Sequence, residues 1–545
     1  MKTNVSLCIA AALMVAACGD PSHRHNSGEM ISVINPIPNE VIEEDVEITS
    51  NEAALMEPSA NATSKMILSS PPQQRNAETY KEIKENSFVA VAQQPVTTFS
   101  ADVDRAAYAN VRRIIGYGQI PPKDAVRIEE MVNYFDYDYP APEEGSASPL
   151  RVSPELAPAP WNPNHLLLRI GLQAKKIDLA KAPPSNIVFL IDVSGSMDEE
   201  NKLPLLKSSF KMLLGQLRPD DKIAIVTYAN GTKVALPSTS VKDKEKIIKV
   251  LDNLYASGGT SGGRGIQLAY EQAQKSFIKN GNNRIILATD GDFNIGINNT
   301  TDLEKFIEKQ RESGIYMSVL GFGIGNYRDD MAETIADKGN GNYAYIDNIT
   351  EAKKVLVNEL SGTLFAVAKD VKLQLEFNPK YVKEYKLIGY ENRMLANEDF
   401  TNDKKDAGEI GAGHTVTALY ELVPSDGKVA QSLRYQSQEL NEKGKGNELG
   451  FLKIRYKDPK VKDAKSVEIT EPLVFNKKAL KETSTDYRFA ASVAEFGILL
   501  RDNSNKAKAT YDQVIELAEG AIGKDPEGYR KEFVRLVKSV KMLPK

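Results

Sequence analysis

Ile187-Val-Phe-Leu-Ile-Asp-Val-Ser-Gly-Ser-Met197 is an apolar run that ends abruptly in small polar residues. Five consecutive apolar residues are expected of a central parallel strand that is covered on both faces. The residues that follow, Asp192, Ser194 and Ser196, belong to types that often form turns and helix caps, and they are also oxygen donors for hard cations. The stretch therefore predicts a buried strand followed by a loop, and leaves two interpretations of the loop open.

The sequence on both sides of this strand alternates between apolar runs and helical patterns. Residues 203–217 have helical spacing, and further short runs predict strands. These runs lie at 223–226, 232–236, 285–288, 315–320 and 343–346, with helical patterns near 241–254, 264–278, 302–312 and 329–338. This order predicts an α/β fold with a doubly wound, mostly parallel sheet, in which ligands bind at the carboxyl ends of the strands.

Two further polar loops are expected at the same edge of this sheet. Gly258-Gly259-Thr260 lies between two helical patterns, and Asp290-Gly291-Asp292 follows the strand at 285–288. Together with the first loop they offer carboxylates and hydroxyls, the ligands that Mg²⁺ prefers, and none of the thiols or imidazoles that soft metals prefer. One such loop alone is more simply a turn, but three in this order favour a cation site.

These residues resemble the metal-ion-dependent adhesion site of von Willebrand factor type A domains. The family motif is D-x-S-x-S followed by a distant Thr and a distant Asp, and the matching positions are Asp192, Ser194, Ser196, Thr260 and Asp290. The resemblance places this domain at residues 183–362. It implies a Mg²⁺ or Mn²⁺ ion and a protein ligand that supplies an acidic residue to the metal. Asp292 is outside the motif, and turn chemistry is its expected role.

Composition and missing motifs exclude several other classes of function. The chain has 69 basic and 74 acidic residues, so there is no basic surplus for nucleic-acid binding. Both Cys lie within the first 18 residues, which leaves no thiol for zinc ribbons, disulfides or thiol catalysis in the body of the chain. No P-loop and no general-base constellation is found, so we expect that the protein is not an enzyme.

The N-terminus has the pattern of an exported and anchored protein. One basic residue, Lys2, precedes a mostly apolar stretch of 13 residues, Val5 to Ala17, which is too short to span a membrane. Val15-Ala-Ala-Cys18 resembles the lipobox of bacterial lipoproteins. The resemblance implies a signal peptide at 1–17, lipidation of Cys18 and a location in the bacterial cell envelope, anchored to a membrane. A secretory signal that happens to end in Cys is the alternative. Residues 18–94 lack sustained periodicity and predict a disordered tether.

The sequence that flanks the central domain predicts two further kinds of structure. Residues 95–182 contain two helical patterns and a strand near 166–172. Asp102 or Asp104 could cap the first helix, and the second is predicted at 123–135. Residues 363–482 are rich in strands, and residues 483–545 are helical. We expect a β-sandwich-like module that is completed by the strand near 166–172, so that the central domain is an insertion between its halves. The C-terminal apolar stripes are more simply core than a partner groove.

Several flanking segments extend the resemblance. They are similar to segments of the YfbK-like family of bacterial lipoproteins with a type A domain, and lie at 98–113, 121–135, 368–371, 388–393 and 406–414. This resemblance bears on the architecture more than on the function. The lipobox and the adhesion-site motif together lead us to expect a lipid-anchored envelope protein that binds a partner through its cation site. Two alternatives stay open: an accessory subunit of an ATPase-driven assembly or metal-insertion machine, and a hydrolase with its site in the flanking domains.

Overall fold

Strands and helices alternate through the middle of the chain, in a computed structural model that describes residues 78–101, 104–259, 263–291, 300–325, 327–426, 446–461, 464–502 and 506–544. The predictions at Cys18, Thr260 and Asp292 lie outside the described residues. In chain order the described strands are β1 (Val89–Ala90), β2 (Val96–Ser100), β3 (Leu150–Ala159), β4 (Asn162–Ala174), β5 (Ser185–Asp192), β6 (Lys222–Tyr228), β7 (Thr232–Ser240), β8 (Asn282–Thr289), β9 (Ile315–Phe322), β10 (Tyr343–Ile346), β11 (Ala366–Phe377), β12 (Val382–Ile388), β13 (Gly408–Gly411), β14 (Thr415–Pro424), β15 (Glu448–Lys457) and β16 (Val467–Val474).

The described α-helices follow the same chain order. They are α1 (Ala106–Gly116), α2 (Ile128–Asn133), α3 (Leu203–Gln216), α4 (Lys244–Asp252), α5 (Gly263–Lys275), α6 (Thr300–Arg311), α7 (Asp329–Lys338), α8 (Ile349–Lys353), α9 (Leu360–Leu364), α10 (Thr485–Leu500), α11 (Tyr511–Glu519) and α12 (Tyr529–Met542). None of these helices is long and apolar enough to cross a membrane.

The central sheet has the strand order β10-β9-β8-β5-β6-β7. Its strands are parallel except for β7, which pairs antiparallel with β6. All eight residues of β5 are buried, as the apolar run predicted. Helices α5, α6 and α7 pack on one face of the sheet, and α3, α4 and α8 pack on the other. The predicted doubly wound α/β fold is confirmed.

A β-sandwich flanks the central domain. One sheet has the order β1-β12-β14-β4-β3, and the other has the order β13-β11-β15-β16 with β2 also paired to β11. Apolar side chains from both sheets form one shared core. The strand predicted near 166–172 is part of β4, and it pairs with β14 from beyond the central domain. The central domain is therefore inserted between strands of one sandwich, as expected, while the exact domain boundaries stay predictions.

The C-terminal helices pack against the N-terminal ones. The apolar stripes of α10, α11 and α12 share a core with α1, α2 and the fully buried Trp161. Ring centroids of Phe489 and Phe533 are 5.5 Å apart, and Phe135 packs edge-on against both. These stripes are core rather than a partner groove.

Buried ion pairs join the helical flank to the central domain. Arg127, which precedes α2, places its guanidinium 2.5 Å from the Asp329 carboxylate at the start of α7, and both side chains are buried. Glu130 binds the same guanidinium from α2. Since a buried charge without its partner is strongly destabilising, this network holds the two parts together.

The structure corrects three details of the prediction. Residues 78–94 belong to the folded region rather than to the tether: Glu78 pairs with Arg113 at 2.8 Å, and β1 pairs with β12. Hydrogen bonds and ion pairs hold this segment, so apolar periodicity did not reveal it. The single helix predicted at 123–135 is a 3₁₀ turn followed by the short α2. Of the two predicted caps of α1, Asp102 lies outside the described residues, and Asp104 does not cap the helix: its carboxylate accepts from the backbone N–H of Tyr343.

Candidate metal site at the carboxyl edge of the central sheet

The two acidic residues of the predicted site lie at the ends of neighbouring parallel strands. Asp192 is the last residue of β5, and Asp290 directly follows β8. The register pairs Ile191 with Ala288, so both carboxyl groups come to the same edge of the sheet. Both residues are fully buried. The fold thus brings together side chains that are 98 positions apart in the sequence.

Only one of the two oxygens of the Asp192 carboxylate accepts a hydrogen bond. Its Oδ1 accepts a hydrogen bond of 2.8 Å from the backbone N–H of Ser194, whereas its Oδ2 is buried and accepts no hydrogen bond. Burial raises the pKa of Asp192 to about 7; the hydrogen bonds from Ser194 lower it, and the negative charge of Asp290 raises it further. The Tyr228 hydroxyl is near enough to lower this pKa slightly, but it lies outside hydrogen-bond geometry.

The two predicted serines face each other in the loop after β5. Ser194 is buried and precedes a 3₁₀ turn over Gly195–Asp198, and its Oγ lies 3.1 Å from the Oγ of Ser196. Two hydroxyls and a buried carboxylate therefore converge within five residues of chain. Oxygen donors of this kind suit Mg²⁺ or Mn²⁺.

The loop that carries the third part of the motif is bonded to this one. The backbone N–H of Gly195 donates to the carbonyl of Gly258 at 2.8 Å, and the N–H of Ser257 donates to the carbonyl of Val193 at 2.8 Å. Gly258 has φ of +75°, and a Cβ there would collide with Asn230, so only glycine fits. Gly259, the last described residue before Thr260, therefore lies beside the loop that carries Ser194 and Ser196, which we call the serine loop.

One functional candidate was missed by the sequence analysis. Lys202, just before α3, is buried, and its ammonium lies 3.3 Å from Asp290 Oδ2. A lysine in front of an amphipathic helix normally indicates a solvent-exposed residue, so no sequence signal identified it.

Other metal or catalytic arrangements find no support in the part of the chain that the structure describes. No group of three or more His, Cys, Asp or Glu side chains that could hold a metal occurs among the described residues. His165 pairs with Glu421 at 2.5 Å, and His414 is buried with its pKa lowered to about 3 by burial and by Arg105. Neither ring is bonded to a described serine or threonine hydroxyl.

Three family profiles match the chain, and they agree with this architecture. The profile described as "von Willebrand factor type A domain" matches residues 186–358, and one described as "von Willebrand factor" matches residues 74–169. The profile described as "Uncharacterized protein YfbK, C-terminal" matches residues 362–543. The central domain is therefore a von Willebrand factor type A domain, a kind of domain that generally serves protein interaction or adhesion.

Two individual relatives and one solved structure are similar to this chain. "Uncharacterized protein YfbK" of Escherichia coli (strain K12) is 48% identical over 465 residues, which cover 84% of this chain and 80% of the relative. "Uncharacterized protein sll0103" of Synechocystis sp. is 26% identical over 60% of this chain and 74% of its own length. The solved structure described as "von Willebrand factor type A from Catenulispora acidiphila", 14% identical, aligns with 84% of this chain and 91% of its own at a TM-score of 0.39. On the strength of the first of these relatives, the chain belongs to the YfbK family of proteins with a von Willebrand factor type A domain.

Proposed function

We propose that this protein is lipid-anchored in a bacterial envelope and binds a protein partner through a divalent cation. The ligand set for that cation consists of Asp192, Ser194, Ser196, Thr260 and Asp290. The proposed anchor is a lipid on Cys18, which becomes the first residue once the signal peptide at 1–17 is removed. The segment from Cys18 to about residue 77 then serves as the tether between membrane and folded region.

The observation that carries the cation proposal is the unpartnered oxygen of Asp192. Oδ2 is fully buried and accepts no hydrogen bond, although burying a carboxylate without a partner is expensive. A second buried carboxylate, that of Asp290, stands close enough to raise the pKa of Asp192. A cation beside both groups would satisfy the free oxygen and reduce their repulsion, and the nearby serine hydroxyls would complete an oxygen-only ligand set.

Some contacts of the proposed ligands set the charge at the site, and others set its geometry. Ser194 and Ser196 supply neutral oxygens, so a bound Mg²⁺ or Mn²⁺ ion keeps much of its positive charge for a carboxylate of the partner. The hydrogen bond from Ser194 N–H fixes the orientation of the Asp192 carboxylate. Two backbone hydrogen bonds, from Gly195 N–H to the Gly258 carbonyl and from Ser257 N–H to the Val193 carbonyl, hold the neighbouring loop in place. Partner binding in this scheme needs neither a catalytic base nor a nucleophile.

Titration calorimetry on the purified protein tests the cation proposal. We expect stoichiometric binding of Mg²⁺ and Mn²⁺, and zinc binding no tighter than that of a surface carboxylate pair. The Ser194→Ala, Ser196→Ala double variant removes two proposed ligands without opening a core cavity, and it should lose most of the Mg²⁺ affinity. Ser208→Ala, an exposed serine on α3, is the matched control and should bind as the wild type does.

Capture of a partner from envelope extracts tests the remaining part of the proposal. A protein retained by the wild type in Mg²⁺ should be released by EDTA, and the double serine variant should not retain it. Tight stoichiometric zinc binding, or a partner retained equally in Mg²⁺ and in EDTA, would show that the proposed site is wrong.

A further inference from the structure

A buried lysine contacts the candidate metal site from the side of helix α3. The Lys202 side chain is 3% exposed. Its Nζ donates to the backbone carbonyl of Ser196 at 2.8 Å and to the Glu199 carboxylate at 3.1 Å, and it lies 3.3 Å from Asp290 Oδ2. Two of these three partners, Ser196 and Asp290, are proposed cation ligands. The ammonium is therefore part of the charge balance of the site.

The fold leaves a specific space for this lysine. Gly323, which follows β9, has φ of +81°, and a Cβ built there would lie 2.3 Å from Lys202 Cε and under 3 Å from two further carbons of the same stem. The stem thus runs directly beneath the backbone of this loop. The side chain is 3% exposed, so the ammonium is held at the site by its described partners rather than by solvent.

The charges around the site are unevenly compensated. Lys202 pairs with Asp290, whereas Asp192 Oδ2 has no hydrogen-bond partner. The Lys202 ammonium therefore pairs with one of the two buried carboxylates of the site. A divalent ion that binds between them must approach this ammonium, and repulsion between like charges is weakly screened at a buried site.

We propose that Lys202 is a built-in counter-cation that keeps the site formed without a divalent ion and lowers its affinity for one. The inference rests on the proposed function, since it concerns the affinity of the same site. Its consequence is regulatory: the ion is bound only when its concentration overcomes the competing ammonium, and adhesion then depends on the free Mg²⁺ level.

A purely positioning role for Lys202 predicts the opposite result. If the lysine only held Asp290 and the Ser196 carbonyl in place, its removal would disorder the ligands and weaken cation binding. If it is a competing charge, its removal makes the site more negative and strengthens cation binding. The sign of the change in Kd therefore separates the two roles.

The experiment measures Kd for Mg²⁺ by calorimetry, and Tm in EDTA, for the full-length protein and two variants. Lys202→Met keeps the apolar stem and removes the charge, while Lys202→Gln also keeps a hydrogen-bond donor. We expect both to bind Mg²⁺ tighter by about tenfold or more, and to melt lower in EDTA than the wild type. Lys211→Met removes the same charge from helix α3, which follows Lys202, at a half-exposed position paired with Asp252, and should change neither value.

Each outcome is decisive. If folded Lys202→Gln binds Mg²⁺ as the wild type does, or more weakly, the inference is overturned. The proposed function is unaffected by that result as long as the wild type binds Mg²⁺. Binding by the lysine variants but not by the wild type supports the inference in its strongest form. No binding by any of these proteins overturns the cation proposal and the inference with it. If Lys202→Met does not fold, the comparison of Lys202→Gln with Lys211→Met decides.

Discussion

The two carboxylates of the candidate site have different neighbours, so matched Asn substitutions should shift the free energy of unfolding in opposite directions. Asp192 Oδ2 is buried without a hydrogen bond, and Asp192→Asn removes that charge while Oδ1 can still accept from Ser194. In EDTA we expect it to stabilise the fold by about 1–3 kcal/mol. Asp290→Asn instead removes the ionic partner of the buried Lys202, 3.3 Å away. Because Ser196 and Glu199 still bind the ammonium, we expect a loss of about 2–4 kcal/mol.

Urea-induced unfolding at pH 8 in EDTA, followed by far-UV circular dichroism, measures both effects. Asp198→Asn is the control, since this exposed carboxylate lies on the same loop and should change the free energy of unfolding by less than about 0.5 kcal/mol. Destabilisation by Asp192→Asn of the same size as by Asp290→Asn would contradict the arrangement of charges described above.

Three further predictions concern the core, the flanks and the anchor. Burial raises the pKa of Glu495 to about 8 from an unfolded value of 4.5, so the folded state retains a proton between these pH values. The free energy of unfolding therefore falls as pH rises, by at most ~1.4 kcal/mol per pH unit. Glu495→Gln should flatten this dependence in urea titrations from pH 5 to 8. Arg127→Met leaves Asp329 and Glu130 buried without their cation, and should cost about 3–5 kcal/mol in urea unfolding. Cys18→Ala should abolish incorporation of a fatty-acid analogue in metabolic labelling, because the proposed lipid acceptor is gone.

Each of these predictions has a control and a contradicting result. Glu482→Gln, at an exposed position before α10, should leave the pH dependence unchanged, and an unaltered slope in Glu495→Gln would refute the assignment. Arg151→Met removes an exposed guanidinium and should leave the free energy of unfolding nearly unchanged. A similarly small effect of Arg127→Met would mean that the buried network does not join the flank to the central domain. Cys8→Ala, within the signal peptide, should label normally, and equal label on Cys18→Ala would exclude lipidation there.

The central sheet could be predicted from the sequence because its strands are covered on both faces. Such strands are continuous apolar runs, as in 187–191 and 285–288, and the helices between them have regular apolar spacing. Because these strands are parallel, Asp192 and Asp290 at their carboxyl ends are predicted to lie at the same edge of the sheet. The contribution of the strand near 166–172 to the sandwich was also predictable, since it is an apolar run, although its partner β14 lies beyond the whole central domain in the sequence.

Polar contacts could not be predicted in the same way. Glu78 and Thr79 are held by an ion pair and by backbone hydrogen bonds, which leave no periodic pattern in the sequence. The burial of Lys202 depends on the room that Gly323 leaves for its stem and on the charge of Asp290, in addition to its nearer partners Ser196 and Glu199. Both conditions depend on residues far away along the chain, so the local sequence around Lys202 indicates an ordinary surface lysine.

The central claim, that the edge of the sheet binds a divalent cation, is tested most directly by unfolding with and without Mg²⁺. At a Mg²⁺ concentration of 100 times Kd, the wild type should gain about 2.7 kcal/mol in its free energy of unfolding over the value in EDTA. The Ser194→Ala, Ser196→Ala double variant should fold as stably in EDTA and gain much less in Mg²⁺. An equal gain in both proteins, or none in the wild type at any Mg²⁺ concentration, would contradict the account.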